Sequence, residues 1–477
     1  MIGPDPHMVP DGVPDAGPDA ALDGVRDAGP DAALHPGPSV HGPNLGPPGA
    51  GRPSDGLGAV DGARPSEPVA GPVAEPVAGP VAGPQGVPDA KPFAAAAGPL
   101  SAPPSGAGVE PFVPAYGTAS LADLPGSLLA SLGLPTPNTL SLDPAGRVCL
   151  FLVDGLGAEL LAAYPDAAPF LSERLRRTLT AGFPSSTPTS LATLGTGAPP
   201  GEHGMLGIQM AVPGEGRLFN CLRWTAPGLP IDPDVWQPAE TVYERMAAQG
   251  VDPVYVAPAS FDGTGLTQAV YRGMRYWAAD TVDERVEGVR RALRDSSFVT
   301  VYYGDVDRAG HESGWGSPEW LEQLAIVDRM AERITEALPP GSALYVTADH
   351  GMINAADKVD FDRRPDLREG VLMLGGDARA RHLYTAPGAA PAVYDTWREA
   401  LRGRAWVVTR EEAADAGWFG RRLRTEWLGR IGDVMAVPYG DCVIVASEAE
   451  PVESSLVGYH GSLTPAEQNV PLLEIRR

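Results

Sequence analysis

The sequence has few basic residues and no long apolar run, and each shortage excludes a class of protein. Lysine and arginine total 36 against 60 aspartates and glutamates, which gives a formal net charge of −24. Nucleic acid polymers and anionic membranes attract basic surfaces, so neither is the expected partner of this chain. No apolar run approaches the ~20 residues that a membrane-spanning helix needs. The sequence therefore predicts neither a nucleic-acid ligand nor a membrane span.

Cysteine is also scarce, and its distribution argues against a disulfide scaffold. The three cysteines, Cys149, Cys221 and Cys442, are odd in number and far apart. Two of them lie within apolar runs, which favours buried free thiols in a reducing compartment. The amino terminus lacks a basic segment followed by an apolar one, so no signal peptide is recognisable. These observations predict a cytoplasmic protein.

Aromatic residues are nearly missing from residues 1–115, where proline, alanine, glycine, valine and aspartate dominate. Short units repeat there, such as Gly-Pro-Asp-Ala-Ala-Leu at 17–22 and again at 29–34. The segment carries four basic and thirteen acidic side chains. Such a composition cannot bury enough apolar surface to offset the loss of chain entropy. We predict a disordered tail over 1–115, either a plain spacer or an interaction tail, and a folded domain over 116–477.

Three apolar segments of the folded domain have the character of buried strands, and each ends in ligand-type side chains. The segments and the residues that follow them are 148–153 with Asp154, 298–303 with Asp307 and His311, and 343–347 with Asp349 and His350. Continuous apolar runs suit parallel strands, and ligands bind at the carboxyl edge of such sheets. Asp154 alone could equally be a helix cap. Because three strands repeat the pattern, it predicts an α/β fold with a site at one sheet edge.

Two further stretches add to this picture. The hydroxyl-rich turn 185–190 leads into the small-residue segment 191–197. Free N–H groups at a helix start can cradle an anion, although a simple capping turn is the alternative. Residues 205–295 contain most of the aromatic residues of the first half of the domain, and we predict that this segment is in part an inserted cap.

Histidines complete the candidate site. Of the eight in the chain, five lie in the predicted folded domain. Three of these sit beside glycine, and either near aspartate or in a tight loop: His311, His350 and His460. Aspartate and histidine suit zinc or manganese, and two such ions ~4 Å apart form a clamp for in-line phosphoryl transfer. His203 and His382 are expected to be structural.

The order of these motifs resembles the alkaline phosphatase superfamily, closest to its nucleotide pyrophosphatase/phosphodiesterase branch, over most of 147–461. The matching pieces are Val153-Asp154-Gly155, Thr187 with Gly195-Thr196-Gly197, Glu202-His203-Gly204, Asp307-Arg308-Ala309-Gly310-His311, Ala348-Asp349-His350-Gly351 and His460-Gly461. The resemblance implies an alkaline phosphatase-like α/β fold: a mixed, mostly parallel central sheet flanked by helices, with an inserted cap region.

The resemblance also implies a role for each position. One divalent cation, zinc or manganese, would be held by Asp154, Asp349, His350 and the oxygen of Thr187. A second would be held by Asp307, His311 and His460. Thr187 rather than Ser186 would be the nucleophile, because its spacing to Thr196-Gly197 matches the family's. Coordination lowers the pKa of a hydroxyl, so that an alkoxide becomes available to form a phospho-threonine intermediate.

The sequence departs from the branch at two positions that contact phosphate. Met205-Leu206-Gly207-Ile208 stands where an asparagine follows the His-Gly pair, and Ser190 stands where another asparagine is expected. Ser190, Gln209 and Asn220 are the candidate substrate contacts that remain. The metal ligands are therefore better specified than the substrate.

These features support a metal-dependent phosphodiesterase or nucleotide pyrophosphatase that acts on a small phosphorylated substrate, such as a nucleotide whose base stacks on aromatic side chains. A phosphomonoesterase or phosphonate hydrolase on the same centre is the alternative. A mutase is disfavoured by the sequence around Thr187. An inactive, metal-stabilised binding protein is the alternative outside enzymes, and the seven intact ligand positions argue against it.

Overall fold

The computed structural model describes residues 109–477, so the predicted tail up to residue 108 lies outside the described part of the chain. The strands are β1 (Arg147–Val153), β2 (Arg177–Thr180), β3 (Gln209–Val212), β4 (Arg217–Asn220), β5 (Val254–Ala257), β6 (Arg275–Ala278), β7 (Phe298–Tyr303), β8 (Ser342–Thr347), β9 (Ile353–Asn354), β10 (Asp357–Asp360), β11 (Val371–Asp377), β12 (Ala380–Thr385), β13 (Ala405–Thr409), β14 (Val434–Pro438), β15 (Cys442–Val445), β16 (Gly458–Tyr459) and β17 (Asn469–Arg476).

The α-helices are α1 (Asp123–Ser131), α2 (Ala158–Ala163), α3 (Pro169–Ser172), α4 (Thr187–Thr196), α5 (Pro200–His203), α6 (Pro233–Trp236), α7 (Val242–Ala248), α8 (Gly265–Val270), α9 (Val282–Asp295), α10 (Asp305–Ser313), α11 (Pro318–Ala337), α12 (Pro365–Arg368), α13 (Ala390–Ala400), α14 (Arg410–Asp415), α15 (Pro451–Ser455) and α16 (Pro465–Gln468). Within residues 109–477, no helix is both long and apolar enough to cross a bilayer.

A seven-stranded sheet forms the centre of the domain, in the order β2-β17-β8-β1-β7-β5-β6. Neighbouring strands from β8 to β6 are parallel, and β17 is antiparallel to both β8 and β2. The inner strands are buried along their length, which explains why they are almost purely apolar. The predicted mixed, mostly parallel sheet is therefore confirmed.

The segment 205–295, expected to be in part a cap, divides into two. Its first portion forms the hairpin β3–β4 and a following loop. Its second portion contributes β5 and β6 to the edge of the central sheet, with α9 packed against β5 and β7. The aromatic residues of this portion therefore belong to the main core, because strands at a covered sheet edge also require apolar partners.

A second sheet was not foreseen from the sequence. It is four-stranded, in the order β11-β12-β14-β13, and antiparallel. Its own core includes Leu383, Trp397 and Val434. The short strand β2 was also missed. Its sequence, Arg-Thr-Leu-Thr, comes directly after a stretch with a helical pattern, and no turn residue separates the two. The hairpin β11–β12 matters below, since its turn reaches the candidate site.

The domain begins before the predicted boundary at residue 116. The amide of Phe112 donates to Leu463 O at 2.8 Å, and the indole of Trp406 donates to Val109 O at 2.8 Å. The amide of Ala115 donates to Thr180 Oγ1 at 2.8 Å. Residues 109–115, expected to end the tail, are therefore attached to the domain. Composition alone concealed this, because backbone hydrogen bonds hold the segment in place.

Candidate metal centre

The candidate ligands meet at the carboxyl edge of three adjacent strands, β8, β1 and β7. Asp154 follows β1, and Asp349 and His350 follow β8. Asp307 lies in the first turn of α10, directly after β7. Since parallel neighbours end at the same edge, these side chains are brought together by the sheet itself. Gly155, with φ +74°, permits the approach, because a Cβ there would lie 2.9 Å from Asp307.

One half of the centre surrounds the imidazole of His350. Its Nε2 lies 3.5 Å from Asp154 Oδ1, 3.4 Å from Asp349 Oδ2 and 3.2 Å from Thr187 Oγ1. All four side chains are buried. Four possible ligand atoms from three separate parts of the chain therefore converge within contact distance.

The other half surrounds Asp307. His311 stands one turn further along α10, with Nε2 3.3 Å from Asp307 Oδ2. His460, after β16, brings Nε2 to 3.8 Å from Asp307 Oδ1 and 3.2 Å from His311 Nε2. Ligand atoms of these three residues lie within 4.8 Å of one another, and so do those of Asp154, Asp307 and His350. Asp307 therefore belongs to both groups and joins them.

The three histidines hold their ring nitrogens in the same way. In each ring Nδ1 faces a backbone carbonyl: His311 that of Gly458 at 2.8 Å, His350 that of Gly351 at 3.1 Å, and His460 that of Ser185 at 2.9 Å. Because a carbonyl only accepts, Nδ1 carries a proton in each ring, and Nε2 is the nitrogen directed at the centre. Metal-binding histidines are held in this way, with the second nitrogen fixing the tautomer.

Asp154 and Asp349 each use one carboxylate oxygen for hydrogen bonds and direct the other at the centre. Tyr302 donates a hydrogen bond to Asp154 Oδ2, and the amides of Gly155 and His350 donate to Asp349 Oδ1 at 3.0 Å each. Asp154 Oδ1 and Asp349 Oδ2 are buried and have no hydrogen-bond partner within residues 109–477. Buried carboxylate oxygens without a donor are costly. These residues therefore fit divalent cations.

The pKa shifts of the two carboxylates Asp154 and Asp349 report the same buried negative charge. Burial and the nearby Asp307 raise the pKa of Asp349 to about 6. Burial and Asp349 raise the pKa of Asp154 well above its usual value. Burial, and then the neighbouring His350, hold the pKa of His460 well below the usual value for histidine. A divalent cation would reverse the first two shifts, because it favours the ionised carboxylates.

Thr187 is the first residue of α4 and is only 2% exposed. The Oγ of the preceding residue, Ser186, donates to Thr189 Oγ1 at 3.2 Å, so it is engaged within its own turn. Thr187 Oγ1 instead faces His350. The start of a ten-residue helix also directs its positive dipole end toward this point. The predicted anion cradle thus lies beside the candidate ligands.

A cavity of ≈ 100 Å³ opens beside the centre, and Thr187, His311 and His460 form part of its wall. Gln209 and Asn220, two of the candidate substrate contacts, also line it. Their amides are engaged: Gln209 Nε2 donates to Glu450, and Asn220 Oδ1 accepts from the amide of Arg223. The third candidate, Ser190, is fully buried within α4 and does not line the cavity.

The two remaining histidines of the domain make contacts away from the centre. His203 Nε2 lies 3.0 Å from Thr193 Oγ1, and its Nδ1 accepts from the amide of Met205. His382 Nδ1 accepts from the amide of Gly432 at 3.3 Å. Burial lowers the pKa of His203 to about 3 and that of His382 to about 4. Both side chains are therefore neutral.

Sequence reasoning missed several residues of this region, including Tyr302, Asp377, Arg381 and Glu450. Tyr302 lies inside an apolar strand, where no pattern distinguishes it. Asp377 lies at the end of β11, much as Asp154 directly follows β1. The pair Gly375-Gly376 before it weakens the strand pattern in the sequence. Arg381 and Glu450 form an ion pair at 2.7 Å across 69 positions of sequence, a contact that only folding reveals.

Comparison with known proteins identifies the family. Residues 148–463 match the family model described as type I phosphodiesterase / nucleotide pyrophosphatase. A phosphopentomutase of Anaeromyxobacter dehalogenans (strain 2CP-1) is 31% identical over 161 residues, which are 33% of this chain and 40% of that protein. Human ectonucleotide pyrophosphatase/phosphodiesterase family member 7 is 31% identical over 120 residues, 22% of this chain and 26% of that protein. The matched regions thus span less than half of these relatives' lengths.

Solved structures share the fold. Murine ectonucleotide pyrophosphatase/phosphodiesterase 5 matches with a TM-score of 0.54 at 19% identity, over 68% of this chain and 87% of that chain. Phosphonoacetate hydrolase from Sinorhizobium meliloti 1021, in complex with phosphonoformate, matches with a TM-score of 0.54 at 18% identity, over 69% and 90%. Because the family model covers well over half of the 477 residues, the chain belongs to the type I phosphodiesterase / nucleotide pyrophosphatase family, within the alkaline phosphatase superfamily.

Proposed function

We propose that the protein is a metal-dependent hydrolase of phosphate esters, of the phosphodiesterase/nucleotide pyrophosphatase type, which acts through a phospho-threonine intermediate. The observation that carries this proposal is the position of Thr187 Oγ1, 3.2 Å from His350 Nε2 at the edge of the two ligand groups. Thr187 Oγ1 is buried at a helix start, beside two carboxylate oxygens without a hydrogen-bond donor, Asp154 Oδ1 and Asp349 Oδ2, among residues 109–477. This position suits nucleophilic attack on phosphorus.

Two divalent cations, which we propose to be zinc with manganese as the alternative, fit the ligand set. Asp154, Asp349 and His350 with Thr187 would hold one, and Asp307, His311 and His460 would hold the other. When bound, such a pair supplies Lewis acidity toward the phosphoryl oxygens and lowers the pKa of coordinated hydroxyl groups. Asp307 also lies within 4.8 Å of ligand atoms of Asp154 and His350, so it stands between the two proposed sites.

The residues of the chain divide the remaining work. The Thr187 hydroxyl loses its proton, and its Oγ1 forms a bond to phosphorus while the bond from phosphorus to the leaving oxygen breaks. The leaving oxygen takes up a proton from solvent. The N-terminal end of α4 stabilises negative charge on the phosphoryl oxygens through its dipole. Water then cleaves the phospho-threonine, which releases phosphate or a phosphate monoester and restores the Thr187 hydroxyl. The small cavity beside Thr187 accommodates the group esterified to phosphate.

The nature of that group is the open part of the proposal. A nucleotide is supported by the relative murine ectonucleotide pyrophosphatase/phosphodiesterase 5, of which an inactive variant was solved in complex with AMP. A phosphonate is the second candidate, supported by the shared fold of phosphonoacetate hydrolase and its complexes with phosphonoformate and phosphonoacetate. Both are small phosphorus compounds that an edge-of-sheet centre of this kind can hold.

The test combines metal analysis with a substrate panel. Purified protein is loaded with zinc or manganese and assayed on p-nitrophenyl phosphate, bis(p-nitrophenyl) phosphate and phosphonoacetate. We expect the diester to give the highest kcat/KM. Thr187→Ala is expected to lower kcat by at least about 1,000-fold, because no other hydroxyl replaces the nucleophile. The matched variant Ser186→Ala removes the neighbouring hydroxyl. Full activity in Thr187→Ala would overturn the proposed mechanism.

A further inference from the structure

One buried carboxylate beside the centre has no part in the proposed chemistry. Asp377, the last residue of β11, is only 7% exposed and lines the same cavity as Thr187, His311 and His460. Neither of its carboxylate oxygens has a hydrogen-bond partner in the part of the chain that the structure describes. Burial raises the pKa of Asp377, and this effect outweighs that of the nearby amide of Ile208, which favours the ionised carboxylate. A buried carboxylate left in this state is costly, so it calls for a partner from outside the chain.

The nearest basic side chains are committed elsewhere. Arg381, on the strand paired with β11, binds Glu450 through both terminal nitrogens, at 2.7 and 3.3 Å. Arg379, in the hairpin turn, is fully buried against Glu467. Because each guanidinium is already neutralised by its own carboxylate, Asp377 is not a member of an internal ion pair.

The carboxylate is also close to the centre. Gly461 follows His460 directly, and a Cβ at Gly461 would lie 3.4 Å from Asp377 Oδ2. The absence of a side chain at Gly461 lets the β11–β12 turn approach the loop that carries His460. A phosphoryl group held at Thr187 therefore has its ester substituent within the cavity that Asp377 faces.

The charges of the cavity wall indicate the kind of partner. Apart from histidines, the charged side chains of the wall are two basic and three acidic: Arg223, Arg381, Asp377, Glu450 and Glu453. Arg223 pairs with Glu453 at 2.9 Å, and Arg381 pairs with Glu450, which leaves Asp377 as the uncompensated charge. A hydroxyl would donate one hydrogen bond but leave that charge in place. An ammonium group both donates and neutralises, whereas an anionic substituent is repelled.

We propose that Asp377 binds an ammonium group on the substrate, so that the preferred substrates are phosphate esters of small amino alcohols. This inference rests on the proposed function for the position of the phosphoryl group. The cavity of ≈ 100 Å³ is small, which favours a compact substituent such as a two-carbon amine.

Binding of non-hydrolysable phosphonates tests the inference independently of turnover. Zinc-loaded protein is titrated with 2-aminoethylphosphonate, 2-hydroxyethylphosphonate and propylphosphonate, which are nearly isosteric. We expect the amine to bind about 10- to 100-fold more tightly than the propyl compound, as for a hydrogen bond between charged groups. In Asp377→Asn this ratio should fall to near one. Glu453→Gln, which alters a paired carboxylate of the same wall, should keep the ratio within about twofold of that of the unmodified protein.

Each other outcome overturns the inference. Equal affinity for the amine and propyl compounds, no binding of either, or an unchanged ratio in Asp377→Asn would remove the ammonium site. If the hydroxyethyl compound binds as tightly as the amine, the group that Asp377 recognises is a hydroxyl and not an ammonium. If Asp377→Asn does not fold, the ratio measured on the unmodified protein decides alone.

Turnover separates this inference from the proposed function. The 2-aminoethyl and propyl esters of p-nitrophenyl phosphate are compared as substrates of the zinc-loaded protein. If neither is hydrolysed while the phosphonate preference holds, the hydrolase assignment fails and the ammonium site stands. If both are hydrolysed equally and no phosphonate preference exists, the hydrolase assignment stands and the ammonium site fails.

Discussion

His350 and His460 stack face to face, with ring centroids 3.6 Å apart and planes 13° from parallel. His350 belongs to one ligand group and His460 to the other, so this stack joins the two halves of the centre. Two stacked imidazolium cations would repel one another, and burial lowers the pKa of both rings. Both rings are therefore neutral, and the stack places two Nε2 lone pairs side by side, one for each of the two cations that we propose.

Removing the metal should destabilise the protein. The buried oxygens Asp154 Oδ1 and Asp349 Oδ2 have no donor within residues 109–477, and bound cations would compensate their charge. A ligand present at 1,000 times its Kd stabilises the native state by about 4 kcal/mol. We expect chelation to lower Tm by several degrees and zinc to restore it. The measurement is differential scanning calorimetry of chelated and reloaded protein, and an unchanged Tm would speak against a structural metal site.

Asp307→Asn should weaken the second cation site, because Asp307 is the one carboxylate proposed to hold that cation together with His311 and His460. We expect metal content to fall from two ions to about one ion per chain and kcat/KM to fall by at least about 100-fold. Asp305→Asn is the matched control, since Asp305 lies in the same turn but pairs with Arg308 at 2.7 Å on the exposed side. Metal content is measured by inductively coupled plasma mass spectrometry. Retention of both ions in Asp307→Asn would contradict the assignment of Asp307 to this site.

Tyr302→Phe should weaken metal binding without changing any ligand. The Tyr302 hydroxyl donates to Asp154 Oδ2, which leaves Oδ1 directed at the centre. Mutation of such supporting residues typically costs about 10- to 100-fold in metal affinity. Competition with a chromophoric chelator measures the affinity. Tyr345→Phe is the control, because the Tyr345 hydroxyl lies in another part of the sheet and donates to Glu474 Oε1 at 3.4 Å. An equal loss of metal affinity in both variants would contradict a specific role for Tyr302.

Asp377→Asn should stabilise the ligand-free protein at neutral and alkaline pH. Burial, partly opposed by Arg381, raises the pKa of Asp377 from 3.8 to about 7. The folded state therefore binds this proton more tightly than the unfolded chain. The stabilisation is complete below a pH of about 4 and is lost as pH rises through about 7. Asparagine does not titrate, so the variant escapes this loss.

Urea denaturation of the unmodified protein and Asp377→Asn at several pH values measures the difference. We expect the free energy of unfolding of the variant, relative to the unmodified protein, to increase by at least about 1 kcal/mol between pH 5 and pH 8. A difference that stays constant with pH would show that Asp377 does not titrate in this range.

Much of the centre could be predicted from the sequence because its ligands follow local patterns. Asp154, Asp307 and Asp349 each follow a buried apolar strand, and a parallel sheet brings such positions together. The histidines lie within a few positions of these aspartates or between glycines in a loop. The structure places all seven predicted ligand residues in one cluster, as the motif order indicated.

The substrate side of the site could not be predicted, for a physical reason. Asp377 faces the cavity because the β11–β12 turn packs against Gly461, a contact across more than eighty positions of sequence. The second sheet that supports this turn has short strands with mixed polarity, whose pattern is weak. Ser190 was chosen by its distance from Thr187 along the chain, yet it lies inside α4 and away from the cavity wall.

The most direct test of the two-cation centre is anomalous X-ray diffraction from crystals of zinc-loaded protein at the zinc absorption edge. We expect two peaks per chain, one among Asp154, Asp349, His350 and Thr187 and the other among Asp307, His311 and His460. A single peak, or peaks away from these side chains, would contradict the two-cation centre.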